Sequence, residues 1–249
     1  MPPEIQHMVE TRFSVELGRR ADGFTRAWCA ERLRLLRRFC LPSIAAQSSD
    51  RFTWLVLCDE STDPQTMAEL REEERRLPAL RIELTSIDRP PRSVVRSLVR
   101  PSADVLITTQ LDSDDLIADA YLEAVQSYAA AFHRSSHRDL LVNYPRGYRL
   151  DLESMGLYEE RLANSSFHSL LERPRAAPVE TVLRANHAVL RQYHFTHQDE
   201  SMHAWAIVVH GGNLANRIRP SSPLKGTADA GIPGFSFGRG PVSDQGTSR

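Results

Sequence analysis

No charge of one sign dominates this chain: 31 basic residues stand against 32 acidic ones, a formal net charge of −1 over 249 residues. A nucleic-acid reader normally carries a positive surplus that displaces counterions from phosphates, so nucleic acid is not expected as the main partner. Cysteine is scarce. The 3 present, Cys29, Cys40 and Cys58, are odd in number and lack the close spacings of a zinc site. Each lies in or beside an apolar stretch, which predicts buried free thiols and a reducing, cytoplasmic setting. No apolar run reaches the ~20 residues of a membrane span. The segment Met1 to His7, with Pro2, Pro3 and Glu4, has no apolar core of the secretory-signal type. Peripheral membrane association through surface arginines or a partner stays open. There is no repeat of solenoid length.

What is present suits a folded domain, since 41% of residues are apolar and a core can be buried. His7 to Val15 alternates as a strand. Thr25 to Phe39 has a helical pattern, with Trp28, Leu35, Leu36 and Phe39 on one face and Arg32, Arg34, Arg37 and Arg38 solvated; Pro42 should end or kink it. Phe52 to Cys58 is apolar on both faces, as a central parallel strand should be. Pro64 to Arg76 is a helix with proline in its first turn. Leu80 to Thr85 is a strand, Ser93 to Arg100 a short helix, and Asp104 to Thr109 a further apolar strand. This alternation predicts an α/β fold with a mostly parallel central sheet flanked by helices. Further on, Ala118 to Phe132 reads as a helix, Leu140 to Tyr144 and Gly147 to Asp151 as a hairpin around Pro145, and Ser201 to His210 as a helix. The expected organisation is a single domain over residues 1–220, followed by a flexible tail over 221–249 that is rich in glycine, serine and proline.

One cluster carries chemistry. Asp112-Ser113-Asp114-Asp115 follows directly on the apolar strand ending at Thr109, where ligands of parallel sheets bind. Crowded carboxylates repel and raise at least one pKa unless a cation sits among them. Mg²⁺ and Mn²⁺ take such oxygen ligands and share them with substrate phosphates. A solvated turn in which Asp115 caps a following helix explains the same residues structurally.

Ile107 to Asp115 resembles the DxD region of GT-A glycosyltransferases. The wider pattern resembles a bacterial family of rhamnosyltransferases, in which a TTRLDNDD strand follows a TRF segment and a QxxxxF-W-L strand. Here the pieces are Thr11-Arg12-Phe13, Gln47 with Phe52-Thr53-Trp54-Leu55, the acidic strand, and Trp205 to Asn213 in the pattern W-x-x-x-x-H-G-x-N. Gln110 stands where the family has arginine and Ser113 where it has asparagine; neither change removes a carboxylate.

The resemblance implies a GT-A, nucleotide-diphospho-sugar transferase fold. It also implies a nucleotide-diphosphate sugar donor, carrying rhamnose if the family label holds, and a glycan or other hydroxyl acceptor. It places Asp59 on the nucleotide base, Thr11 and Arg12 beside the nucleotide, and Asp112 at the ribose or the metal shell. Asp112, Asp114, Asp115 and His210 become candidate ligands for Mg²⁺ or Mn²⁺, with Asp115 alternatively on the sugar hydroxyls or supporting the loop, and His210 alternatively on the pyrophosphate. Asp199, with Glu200 beside it, is the candidate base for the acceptor hydroxyl, although Asp199 also fits a helix cap. Arg92 and Arg96 could neutralise a pyrophosphate, or simply form a solvated helix face. A nucleotidyltransferase is a rival reading, but its usual glycine-rich phosphate loop is missing around Thr11 to Gly23. A non-catalytic nucleotide-sugar binding module is the other.

Overall fold

The computed structural model describes residues 2–15, 24–176, 178–213, 216–218 and 222–238. The chain opens with β1 (Ile5–Ser14), followed by α1 (Arg26–Leu35), whose first turn is capped where the Thr25 hydroxyl accepts from Trp28 N at 3.4 Å. Pro42 does not end this helix. It runs on through a widened π turn, Leu36–Cys40, into α2 (Leu41–Ala45). A proline inside a helix has no N–H to return to the turn before it. The carbonyl four residues earlier, on Arg38, accepts instead from Gly238 N at 2.7 Å.

Next come β2 (Thr53–Asp59), α3 (Pro64–Arg76), β3 (Leu80–Thr85), α4 (Pro91–Ser97) and β4 (Val105–Gln110). α3 begins where expected because the Asp63 carboxylate accepts from Thr66 N at 2.8 Å and Pro64 fills the first turn. A short β5 (Leu116–Ile117) precedes α5 (Tyr121–Ser127) and α6 (Ala129–Arg134). Then follow β6 (Asp139–Asn143), β7 (Arg146–Asp151), β8 (Gly156–Arg161), β9 (Ser169–Glu172), α7 (His187–Leu190), β10 (Thr196–Gln198), β11 (Trp205–Val209) and β12 (Leu224–Thr227).

The main sheet has 7 strands in the order β10-β6-β9-β4-β1-β2-β3. β1, β2, β3 and β4 are mutually parallel, β9 runs against its neighbours β4 and β6, and β10 is parallel to β6. The carboxyl ends of every strand except β9 therefore share one edge, at Ser14, Asp59, Thr85, Gln110, Asn143 and Gln198. One face packs on the helices through Val9, Phe13, Trp54, Val56 and Leu70. The other face, with Met8, Leu55, Leu57 and Leu106, is covered by Val94 and Val95 of α4.

A second sheet of 5 strands runs β12-β8-β7-β11-β5. It corrects two expectations. The strands flanking Pro145 are not a hairpin, because β6 belongs to the first sheet and β7 to the second. Trp205–Val209 is a strand, not a helix: Trp-Ala-Ile-Val-Val is almost wholly buried and its β-branched residues suit a pleated surface. The expected flexible tail is also revised as far as it is described. β12 pairs with β8, and Ala228, Ile232 and Phe235 are buried against Leu35, Phe39 and Leu116. Few apolar residues suffice here because each one is placed in a groove. Positions 239–249 lie outside the described residues.

Candidate active site

The carboxyl edge of the main sheet brings together most of the residues singled out above. Asp59 ends β2, and its carboxylate accepts from Ser61 N at 2.9 Å and Ser61 Oγ at 2.5 Å. Ser14, ending β1, bonds Thr62 Oγ1 at 2.7 Å and ties the two strand ends together. Thr11 is not at this edge. It is fully buried, and its hydroxyl accepts from Trp54 Nε1 at 2.8 Å, so it braces β1 on β2. Arg12 is half-buried.

β4 leads into the acidic loop, and its three carboxylates have separate environments. Asp114 is buried, with Oδ2 3.0 Å from Arg32 Nη1, 3.0 Å from His210 Nε2 and 3.5 Å from Asn213 Nδ2. Burial pushes its pKa up, but the hydrogen bond from His210 and the charge of Arg32 outweigh this and hold it below the usual carboxylate value. Asp115 points into the protein, where Oδ1 accepts from Val208 N at 2.9 Å. Burial first, then Asp114 and Asp112, raise its carboxyl well above the ordinary value. Of the roles expected for Asp115, the contact made is support of the loop, which it anchors to β11; a carboxyl committed to a backbone N–H inside the core is poorly placed to bind a cation. Asp112 is half-buried. Ser113 Oγ is buried with no hydrogen-bond partner among the described residues.

Two contributors escaped the sequence reading. The helical pattern puts Arg32 on the solvated face; α1 instead turns it onto Asp114, with its guanidinium over the Trp28 ring at 5.6 Å from the centroid. Its position among neighbouring arginines masked it. Asn213 was quoted only as part of a pattern, yet its Oδ1 also accepts from His210 N at 2.6 Å and fixes the turn that presents His210.

The remaining candidates are placed as follows. Asp199 follows β10 at the same edge; Tyr128 OH donates to its Oδ2 at 2.5 Å and Ser201 N to its Oδ1 at 2.8 Å. Burial acts to raise the Asp199 pKa, but the hydrogen bonds from Ser201 and Tyr128 prevail, so the carboxylate is ionised at neutral pH. Glu200 pairs with Arg161 at 2.5 Å on the surface. Arg92 is ion-paired with Glu180, and Arg96 is exposed on α4. None of the described contacts joins either arginine to the acidic loop.

The donor set suits a hard cation in part. Asp112 and Asp114 offer oxygens, with Asp114 already ionised; His210 is engaged at both ring nitrogens, Nε2 with Asp114 Oδ2 at 3.0 Å and Nδ1 accepting from Gly212 N at 3.2 Å. Among the described residues no group of three or more histidines, cysteines or acids is arranged to hold a metal. The protein would therefore supply only part of a coordination shell, which is the usual situation for Mg²⁺ shared with substrate phosphates and water.

A family model described as "Putative rhamnosyl transferase" matches residues 12–222. No curated protein matches the chain. Similar solved structures include S. aureus TarS, at 12% identity and a TM-score of 0.47, covering 83% of this chain and 37% of that one. A shorter form, TarS 1-349 in complex with UDP-GlcNAc, is 14% identical with a TM-score of 0.47, covering 84% of this chain and 60% of the other. The 4-diphosphocytidyl-2C-methyl-D-erythritol synthase of Anaerococcus prevotii is 9% identical with a TM-score of 0.37, covering 84% and 87%. The chain thus spans between about two fifths and three fifths of the TarS chains it matches.

Proposed function

The chain belongs to the rhamnosyl transferase family, and from that membership and its acidic edge we propose that it moves a sugar from a nucleotide-diphosphate donor to a hydroxyl acceptor. Membership makes it a glycosyltransferase, and the mostly parallel sheet is that of a GT-A, nucleotide-diphospho-sugar transferase fold. The observation that carries the reading is Asp114, ionised and held by Arg32, His210 and Asn213 beyond the carboxyl end of β4.

In this reading Asp59 receives the nucleotide base and Asp112 the ribose. Mg²⁺ or Mn²⁺ would be held by Asp112 and Asp114, with His210 positioning the Asp114 carboxylate, and when bound supplies Lewis-acid neutralisation of the departing diphosphate. Arg32 and Asn213 keep the Asp114 carboxylate fixed before substrate arrives, so little reorganisation is needed as charge develops. Asp199, ionised and oriented by Tyr128, takes the proton of the acceptor hydroxyl. The family label supports a rhamnose donor, hence a deoxythymidine diphosphate. Cys40 and Cys58 are buried free thiols, which supports a cytoplasmic site of action. Among the described residues no helix is long and apolar enough to cross a membrane.

Asp114→Ala tests the reading directly. Donor turnover with Mn²⁺ should fall by about 10²–10³-fold, the cost of losing one preorganised electrostatic element, while circular dichroism stays unchanged. Undiminished turnover would remove Asp114 from the mechanism. A wild-type protein that binds donors without turning any over would be a binding module.

A further inference from the structure

At the opposite end of the main sheet from Asp59, the loop running into β10 borders a cavity of about 450 Å³. It is lined by Asn164, Arg191, Gln192, His194, Phe195 and Thr196, a hydrogen-bonding set with two aromatic rings and no carboxylate of its own; Asp139 Oδ1 lies 3.3 Å from His194 Nδ1. Its size lies in the range of small-ligand sites. We propose that this cavity is the acceptor subsite and that it takes a glycan bearing a negative charge. The assignment deepens the glycosyltransferase reading and rests on it.

Position argues for the role. The strand order β10-β6-β9-β4-β1-β2-β3 places Asp59, on β2, to one side of the acidic loop and Asp199, after β10, to the other. A donor lying from β2 to β4 leaves the β6–β10 side for the second substrate. The wall of the cavity formed by Asn164 and Arg191 adjoins that side, while His194 and Phe195 lie toward the amino ends of β6 and β10. The Ala163 carbonyl accepts from Arg191 Nη1 at 3.0 Å, from Asn143 Nδ2 at 3.2 Å and from Gln198 Nε2 at 3.2 Å, which ties the cavity wall to the carboxyl ends of β6 and β10. Thr196 and Asp199 are three positions apart, about 10 Å along an extended chain. A bound sugar unit in the cavity could therefore extend the next unit's hydroxyl to Asp199.

Chemistry argues for the ligand. Arg191 has no ion pair among the described residues, whereas Arg92, Arg161 and Arg184 on surrounding segments each have a glutamate. The guanidinium of Arg191 suits a carboxylate or phosphate. Phe195, 56% exposed with its other face stacked on His137 at 4.3 Å, offers an apolar surface to a sugar ring.

Calorimetry on the full chain, without donor or metal, tests this with three probes: trigalacturonate, a phosphorylated maltotriose, and maltotriose itself. Both charged probes should bind at least tenfold more tightly than the neutral one; binding by only one of them identifies the anion as carboxylate or phosphate. Arg191→Ala should weaken charged-probe binding at least tenfold. Gln192→Glu, which puts a like charge at an exposed position, should weaken it similarly and leave maltotriose unaffected. Unchanged thermal midpoints show that both variants fold. Equal affinity for all probes, insensitivity to both variants, or no binding at all would overturn the assignment. Donor binding, measured separately by thermal shift, reports on the glycosyltransferase reading alone, so the two can fail independently.

Discussion

Glu10 is the side chain most at odds with its surroundings. It lies fully buried on the central strand β1, with both carboxylate oxygens unpartnered among the described residues. Its register neighbour across to β4 is Gln110. An amide there cannot neutralise a carboxylate, and burial, reinforced by Glu172 and opposed by Arg12, raises the Glu10 pKa well above 4.5. The native protein keeps this proton while the unfolded chain releases it above that value. Stability from this group is thus complete at low pH and declines as pH rises toward the native pKa, by up to about 1.4 kcal/mol per pH unit. Glu10→Gln preserves shape without an ionisable proton. Its stability relative to the wild-type protein should increase as pH rises above 4.5, read from urea midpoints; parallel curves would show that Glu10 is not held neutral.

Between neighbouring elements, fit is set by very local constraints. Gly147 of β7 lies opposite Trp205 of β11, and a Cβ there would overlap the buried indole ring, which is stacked on Phe167 at 5.2 Å. Gly147→Ala should cost about 1–3 kcal/mol or more through overpacking, visible as a lower thermal midpoint; an unchanged midpoint would mean that the two strands separate easily. Reading Trp205–Val209 as a helix failed for a related reason. A five-residue apolar run is compatible with either period, and only the presence of β7 and β5 on its two sides decides for a strand. By contrast β2, α3 and β3 were legible to within a residue or two, since Asp63-Pro64 marks a helix start and Thr53–Asp59 is apolar on both faces.

On the scale of the whole molecule, the acidic loop was visible from its neighbours in sequence, but its supports were not. Arg32, His210 and Asn213 reach Asp114 from 82, 96 and 99 positions away, and no local pattern encodes such distances. The same holds for the segment after residue 222. Asp119 N donates to Gly234 O at 2.8 Å, Ser236 Oγ donates to Asp119 Oδ2 at 3.1 Å, and Phe237 stacks on Phe39 at 6.1 Å. Composition suggested looseness there because it counts residues and not contacts. Phe235→Ala should destabilise the protein by about 3 kcal/mol if the segment behaves as core, and should speed proteolysis after residue 222. Unaltered cleavage would mean that the segment is not fastened to the body.

That fastening bears on biosynthesis. Asp119 leaves the ribosome well ahead of Gly234 and Ser236, 117 residues before the latter. A nascent chain can form much of the parallel sheet early, yet the turn beyond Asp115 must wait for these later residues to emerge. Stalling of translation between the two would leave a polypeptide with its strands in place and its acidic loop unbraced.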